Sequence, residues 1–244
     1  METDAAWAWK MTRNYLHANP CIPNSHERRA VAGFVTLLPA LVFGFALGVR
    51  HATDADHIAA VGTLARAEST RRAATLGAAW GLGHSASVLL VGGSLVLLRL
   101  PMPIRLALAL EFLVAIMLVA LGVRSLLTRK RADAVSAARP MLVGVVHGLA
   151  GSAVLALLVV GTTQSALAAA VYLLCFSIGT IVGMMLVTLL LTLPTRIRPV
   201  WAPPFDRGLR VVAGVASIAI GVLLAHEVGV TRGLFGATPA MPAE

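Results

Sequence analysis

Residues 166–193 read ALAAAVYLLCFSIGTIVGMMLVTLLLTL and contain no Asp, Glu, Lys or Arg. A helix needs about 20 predominantly apolar residues to cross the hydrocarbon core of a bilayer. Further apolar stretches of suitable length occupy residues 31–50, 73–98, 106–127, 140–161 and 209–226. The sequence therefore predicts an all-α integral membrane protein with about six transmembrane helices.

The composition supports this prediction. Of the 244 residues, 58% are hydrophobic and only 13% are charged, whereas a soluble domain is about 45–50% apolar and about 25% charged. An ordinary soluble, disordered or fibrous protein is excluded. The formal net charge of +9 is also a feature of nucleic-acid-binding proteins, but the basic residues lie between apolar stretches. We therefore expect a lipid bilayer as partner and no nucleic acid.

Basic residues cluster after the first, third and fifth spans, whereas the connection after the second span holds only Arg99 and Arg105. Connections rich in Lys and Arg face the cytoplasm. We therefore predict a multi-pass protein of the cytoplasmic (inner) membrane with both termini outside. The reversed topology stays an alternative, because Arg28 and Arg29 precede the first span. The clustered residues are Arg66, Arg71, Arg72, Arg124, Arg129, Lys130, Arg131, Arg139, Arg196, Arg198, Arg207 and Arg210.

The sequence predicts three segments along the chain. Residues 1–29 are polar and contain no apolar signal-peptide core, residues 30–228 form a single transmembrane transporter domain, and residues 229–244 form a C-terminal tail. The transporter domain divides into halves at about 31–127 and 140–226.

The two halves resemble each other. Residues 48–51 (GVRH) align with 144–147 (GVVH) at an offset of 96, and Gly83 and His84 then align with Gly179 and Thr180. Near the ends of the halves, LGV at 121–123 aligns with IGV at 220–222 at an offset of 99. Three spans per copy predict a 3+3 inverted repeat, an architecture of secondary transporters whose substrate site lies between the copies.

Residues 50–58 read RHATDADHI and carry the most informative polar groups. Ionisable side chains at membrane depth indicate a functional site. Imidazole suits nickel, copper, zinc and iron, and carboxylate suits harder cations. We therefore predict that His51, Asp54, Asp56 and His57 bind a divalent transition-metal ion. The alternative is a loop at the cytoplasmic interface whose His and Asp side chains are merely solvated.

Helix periodicity divides this set. At about 100° per residue, His51, Asp54 and His57 share one face and Asp56 points away. Either Asp56 orients a ligand by hydrogen bonding, or the helix breaks nearby. A continuous helix over residues 31–64 would be about 50 Å long, against a core of about 30 Å. The helix is therefore expected to begin near Pro39 or to break near Gly48.

Two histidines on other spans, His84 and His147, complete the predicted metal ligands. Glu111 lies near the start of the third span. For this carboxylate we expect an interfacial ion pair with Arg105, with a proton or cation relay as the alternative.

The residues 50–58 resemble the signature of the NiCoT family of nickel/cobalt permeases, a histidine followed by four residues and Asp-His. Residues 82–88 (LGHSASV) resemble the second motif of that family. The resemblance implies a membrane carrier, not an enzyme, with Ni²⁺ or Co²⁺ as transported substrate and no permanently bound cofactor. It places His51, Asp56, His57 and His84 at or near the metal path.

The second half departs from typical permeases, because it lacks their later Gly-Phe-Asp-Thr-Ala-Thr-Glu motif. Residues 147–153 (HGLAGSA) and 176–185 (FSIGTIVGMM) resemble instead the UreH-like branch of urease-accessory membrane proteins. The choice of metal and the direction of transport therefore stay open. One alternative function is nickel delivery to a metalloenzyme together with its maturation partners. Another is a membrane electron carrier with haem held by histidines on facing helices.

Overall fold

The computed structural model describes residues 38, 41–64, 69–98, 100, 102–127, 136–162, 166–197 and 202–236. The chain divides into two units, Met1–Pro39 and Ala40–Glu244, and the following description concerns the second. The predicted polar segment 1–29, the beginning of the predicted first span and the end of the predicted tail lie outside the described residues.

The described residues form helices, with no strand among them. We number the helices in chain order, treating α3 as one helix that includes a π-helical turn. They are α1 (Leu41–His51), α2 (Ala55–Leu64), α3 (Thr70–Leu98), α4 (Ile104–Leu127), α5 (Ala138–Thr162), α6 (Ala166–Ile197) and α7 (Ala202–His226).

This architecture confirms the prediction of an all-α membrane protein. Four helices in the described part of the chain are long and apolar enough to cross a bilayer: Thr70–Leu98, Ile104–Leu127, Leu167–Leu193 and Arg207–Thr231. Their outer faces carry exposed leucines such as Leu90 and Leu127, as expected for helices solvated by lipid. The count of six crossings stays a prediction.

Local sequence explains where α3 begins, and the helix contains one irregular turn near its other end. Its first turn begins after Ser69, whose hydroxyl accepts a hydrogen bond from the Arg72 N–H at 3.2 Å, a helix-capping contact. Near its other end, Val88–Gly92 form a π-helical turn. Such turns are frequent at functional sites, and this one begins one turn after His84.

The two halves pack against each other reciprocally. Gly48 on α1 lies against the Phe176 carbonyl on α6, and Gly144 on α5 lies against the Trp80 carbonyl on α3. A Cβ at Gly48 would be 2.8 Å from the nitrogen of residue 180, and one at Gly144 would be 3.0 Å from that of residue 84. The residue numbers of the two contacts differ by 96, which is the offset of the repeat.

The last helix of each half follows the same rule. Gly122 on α4 lies against backbone of α7 near Gly214, and Gly221 on α7 lies against the Ala115 carbonyl and the Val119 nitrogen on α4. These contacts interchange at the offset of 99. Reciprocal contacts of this kind are those expected of two copies related by a two-fold axis, with small residues allowing the backbones to approach closely.

Candidate metal site

Helix α1 ends at His51, and α2 starts again at Ala55. Between them the Thr53 N–H donates to the Arg50 carbonyl at 2.9 Å, and the Asp54 N–H donates to the His51 carbonyl at 3.1 Å. The Thr53 hydroxyl donates to the same Arg50 carbonyl at 2.6 Å. Because these bonds satisfy backbone groups locally, the chain can turn within the membrane domain. The break is one of the two geometries that helix length predicted.

Three imidazoles, from α1, α2 and α3, converge beside this break. Ring centroids are 4.4 Å apart for His51 and His57, 5.1 Å for His51 and His84, and 5.5 Å for His57 and His84. One potential ligand nitrogen of each ring lies within 4.8 Å of the other two. His57 and His84 are buried, and the side chain of His51 is 22% exposed. The arrangement offers three nitrogen donors to a single ion.

Carboxylates determine which of these nitrogens carry protons. His51 Nδ1 lies 2.9 Å from Asp54 Oδ2, and His57 Nδ1 lies 3.0 Å from Asp56 Oδ1. A carboxylate only accepts hydrogen bonds, so Nδ1 is the donor and Nε2 keeps its lone pair in both rings. These two Nε2 atoms and both nitrogens of His84 are buried without a hydrogen-bond partner among the described residues. Since buried polar atoms are normally paired, these nitrogens are the ones available to a metal ion.

Asp56 connects the two halves of the chain. Its Oδ1 accepts from His57, and its Oδ2 accepts from His147 Nε2 on α5 at 2.7 Å. The ring centroids of His57 and His147 are 4.1 Å apart, and Asp56 forms with them a second group of close potential ligands. Both Asp56 oxygens are thus bonded to imidazoles, a geometry that fits a carboxylate orienting metal-binding histidines.

Asp54 lies at the edge of this cluster. Its side chain is 42% exposed and contacts His51 from the turn between α1 and α2. The structure therefore brings together five of the six residues predicted from sequence, and Asp54 reaches the others through His51. It also explains how Asp56 joins them despite helix periodicity, because the residues no longer belong to one straight helix.

A cavity of about 190 Å³ adjoins the cluster, lined by His51, Asp56, His57, Glu111, Val114, His147, Ala150, Gly151 and Leu224. Glu111 on α4 does face this cavity, but the expected pairing with Arg105 is not the one that forms. Both Glu111 oxygens accept hydrogen bonds from the guanidinium of Arg232, and Arg105 donates to the Gly236 carbonyl at 3.3 Å. The reason is tertiary: the segment after α7 folds back over the start of α4.

Two aromatic residues that were not predicted from the sequence lie beside the cluster. The Phe176 ring lies 5.4 Å from that of His51, and the Trp80 ring lies 6.2 Å from that of His147. Both pairs interchange by the shift of 96 residues, so that the histidine of each half lies against an aromatic ring of the other. The repeat alignment contained this signal, since it equates residue 80 with 176 and residue 51 with 147.

Comparisons with known proteins agree with the geometry. The chain is 31% identical over 227 residues to the urease accessory protein UreH of Bacillus sp. (strain TB-90), an alignment that covers 82% of this chain and 96% of the relative. No family model and no solved structure matches the chain. Because the relative is named an accessory protein, the similarity also confirms the expectation that the chain is not an enzyme.

The sequence identity and its coverage of both chains are high enough to show that the two proteins belong to one family. It spans both halves of the repeat as well as the two motifs on which the sequence resemblance depends. The chain belongs to the family of the urease accessory protein UreH, the branch of the nickel/cobalt permeases that its sequence resembles.

Proposed function

We propose that the protein carries Ni²⁺ or Co²⁺ across the cytoplasmic membrane through the His/Asp cluster. This proposal rests on the convergence of nitrogens of His51, His57 and His84 that are buried and have no hydrogen-bond partner within the described part of the chain. Imidazole donors favour late first-row transition metals over Mg²⁺ or Ca²⁺. The three nitrogens replace part of the hydration shell of the ion, while Asp56 and Asp54 hold the rings in place and offset its charge.

The position of the cluster supports movement as well as binding. It lies where residues of the two halves meet, since His51, His57 and His84 belong to the first copy and His147 to the second. Transporters built from repeats change access by moving one copy against the other around such a site. An inside-negative potential favours cation entry by about 2.3 kcal/mol per charge per 100 mV. The ion binds to neutral imidazoles, so protons compete with it.

Uptake by proteoliposomes tests this proposal. Purified protein is reconstituted, and accumulation of Ni²⁺, Co²⁺, Zn²⁺ and Mn²⁺ is compared for wild type, His51→Ala, His57→Ala and His84→Ala. We expect Ni²⁺ or Co²⁺ accumulation in wild type and its loss in all three variants. The matched control is His226→Ala, because His226 is an exposed histidine at the end of α7. Normal transport by the three stably inserted variants would contradict the proposal.

A second candidate is nickel delivery to a metalloenzyme without net transport, and the similarity to a urease accessory protein favours it. In that case the purified protein binds Ni²⁺ through the same histidines but does not accumulate it in vesicles. Activation of a nickel enzyme in cells would then depend on His84 while vesicle uptake does not occur. Partners in enzyme maturation belong to this candidate.

The haem alternative fits the structure poorly. The cavity beside the histidines measures about 190 Å³, whereas sites for drug-sized ligands occupy about 300–1,000 Å³. One nitrogen of each imidazole of His51, His57 and His84 lies within 4.8 Å of the other two, whereas two axial histidines bind a haem from opposite sides. A Soret band in the purified protein would nevertheless restore this alternative.

A further inference from the structure

Glu111 is a partly buried carboxylate that the proposed metal cluster does not use. Its side chain is 16% exposed, and it lines the same cavity as His51, Asp56, His57 and His147. Inside a membrane protein such a charge is costly unless it is paired or has a function. Glu111 has a partner, and the form of that pairing indicates what the carboxylate does.

Only some of the hydrogen-bond donors of the partner, Arg232, are satisfied by the described residues. Its two terminal nitrogens donate to the two oxygens of Glu111. Its Nε is buried and has no hydrogen-bond partner in the part of the chain that the structure describes. A buried ion pair stabilises a fold only when further hydrogen bonds satisfy the remaining donors. The pair of Glu111 and Arg232 therefore contributes little as a structural lock.

Arg232 belongs to a segment, residues 227–236, that folds back over α4 and that we call the C-terminal clasp. After the π-helical turn Glu227–Thr231, the Arg232 N–H donates to the Glu227 carbonyl at 2.8 Å. Gly233 follows with a positive φ of 73°, a conformation that glycine adopts without strain. This reversal brings the arginine side chain against Glu111 on α4.

Other contacts hold the clasp in place independently of the ion pair. The rings of Phe112 and Phe235 meet edge to face at 5.2 Å, and Arg105 donates to the Gly236 carbonyl. The Leu234 N–H donates to the Val228 carbonyl at 3.1 Å. Because these contacts do not involve Glu111, the Arg232 side chain can leave the carboxylate while the clasp stays docked.

We propose that Glu111, in the wall of the cavity, is a second cation position, and that Arg232 is the resident counter-ion which an arriving divalent cation displaces. This inference rests on the proposed function for its cargo. A guanidinium and a divalent cation repel each other at one carboxylate, so occupancy alternates between them. When the ion moves on to the imidazoles, Arg232 returns to Glu111 and neutralises it again.

The chemistry of the two positions differs. A carboxylate suits hard cations such as Mn²⁺ as well as nickel, whereas the imidazole cluster discriminates between them. The Glu111 position therefore admits divalent cations broadly, and selection occurs at His51, His57 and His84. Mn²⁺ is accordingly the probe that reports on Glu111 separately from the cluster.

Mn²⁺ binding to the purified full-length protein, followed through the electron paramagnetic resonance signal of free Mn²⁺, tests the inference. Arg232→Gln frees the carboxylate, and we expect Mn²⁺ affinity to rise roughly fivefold, the scale of a partly exposed ion pair. Arg232→Gln combined with Glu111→Gln should lose this gain. Arg105→Gln is the matched control: it removes a positive charge and a contact of the same clasp, and should leave Mn²⁺ affinity unchanged.

Further variants separate the possible outcomes. If Arg232→Gln does not fold, Arg232→Lys serves instead. Lysine keeps the charge but cannot form the bidentate contact, so we expect a smaller rise in Mn²⁺ affinity. The gain should persist in Arg232→Gln combined with His84→Ala, because Glu111 binds separately from the cluster. Persistence of the gain without nickel transport in wild type would overturn the proposed function but not the Glu111 position. Unchanged Mn²⁺ affinity in both Arg232 variants would overturn the Glu111 position itself.

Discussion

The two halves of this protein share their packing but not their chemistry. Gly48 and Gly144 contact the opposite half through equivalent backbone atoms. At the positions equivalent to Asp56, His57 and His84, however, the second half carries residues 152, 153 and 180, which are Ser, Ala and Thr. Only the histidine pair of residues 51 and 147 is common to both copies.

Helix packing and metal binding therefore place different requirements on the two copies. Close helix contacts need small residues at fixed positions in both copies, since each interface is used twice. A metal ion needs one set of donors, and duplicating them would create a second costly group of polar atoms in the membrane. From the second copy comes one histidine, His147, which lies against His57 and hydrogen-bonds to Asp56.

The largest expected effect comes from making the first half chemically like the second. His84→Thr copies the residue found at position 180 and removes a buried imidazole of the candidate metal site. We expect nickel uptake by proteoliposomes to fall more than the roughly 100-fold that follows loss of a residue orienting a ligand. The comparison variant Thr180→Ala, at the equivalent position, should retain transport. Equal losses in both variants would mean that the two halves contribute symmetrically.

A smaller effect is expected for the residue that joins the halves. Asp56→Asn keeps the shape of the side chain but removes the charge that orients His57 and His147, and metal affinity should fall roughly 10- to 100-fold. Isothermal titration of Ni²⁺ into the purified protein measures this loss. Should the variant bind Ni²⁺ as tightly as wild type, Asp56 would have no orienting role.

The packing symmetry predicts matched losses of stability. Gly48→Ala and Gly144→Ala each place a Cβ against backbone of the opposite half, and overpacking of this kind costs about 1–3 kcal/mol. We expect similar decreases in the thermal unfolding temperature of the detergent-solubilised protein. Gly93→Ala is the control, because a Cβ there meets nothing within 4 Å. A loss in only one of the two variants would show that the reciprocal contacts are energetically unequal.

The smallest effect is expected at the edge of the cluster. Asp54→Asn weakens one hydrogen bond to His51 from a side chain that is 42% exposed. A typical hydrogen bond contributes about 0.5–1.5 kcal/mol, so nickel affinity should fall by no more than about tenfold. The same titration used for Asp56→Asn measures both variants together. A larger loss for Asp54 than for Asp56 would reverse the roles assigned to the two carboxylates.

Much of the site could be predicted from residues 50–58 and 82–88, because ionisable groups are rare in apolar helices and stand out by type alone. Their mutual geometry could not be predicted in the same way. Periodicity put Asp56 on the far face of a straight helix and left open whether the helix breaks or Asp56 orients a ligand. The structure has a turn at Ala52–Asp54, and it places Asp56 against His57 and His147. The pairing of Glu111 was expected with a neighbour in sequence, Arg105, whereas its partner Arg232 lies at the other end of the chain.

By itself, the sequence determined the class of the molecule: its apolar stretches require helices in a bilayer, where backbone groups must be satisfied within each segment. It also indicated which side chains are candidate metal ligands, because histidine and aspartate are rare in its apolar stretches. How these groups meet depends on the tertiary structure. The distances among His51, His57 and His84, the bridge from Asp56 to His147 and the pairing of Glu111 with Arg232 depend on packing between residues far apart in the chain. Local propensity and composition contain no information on such contacts.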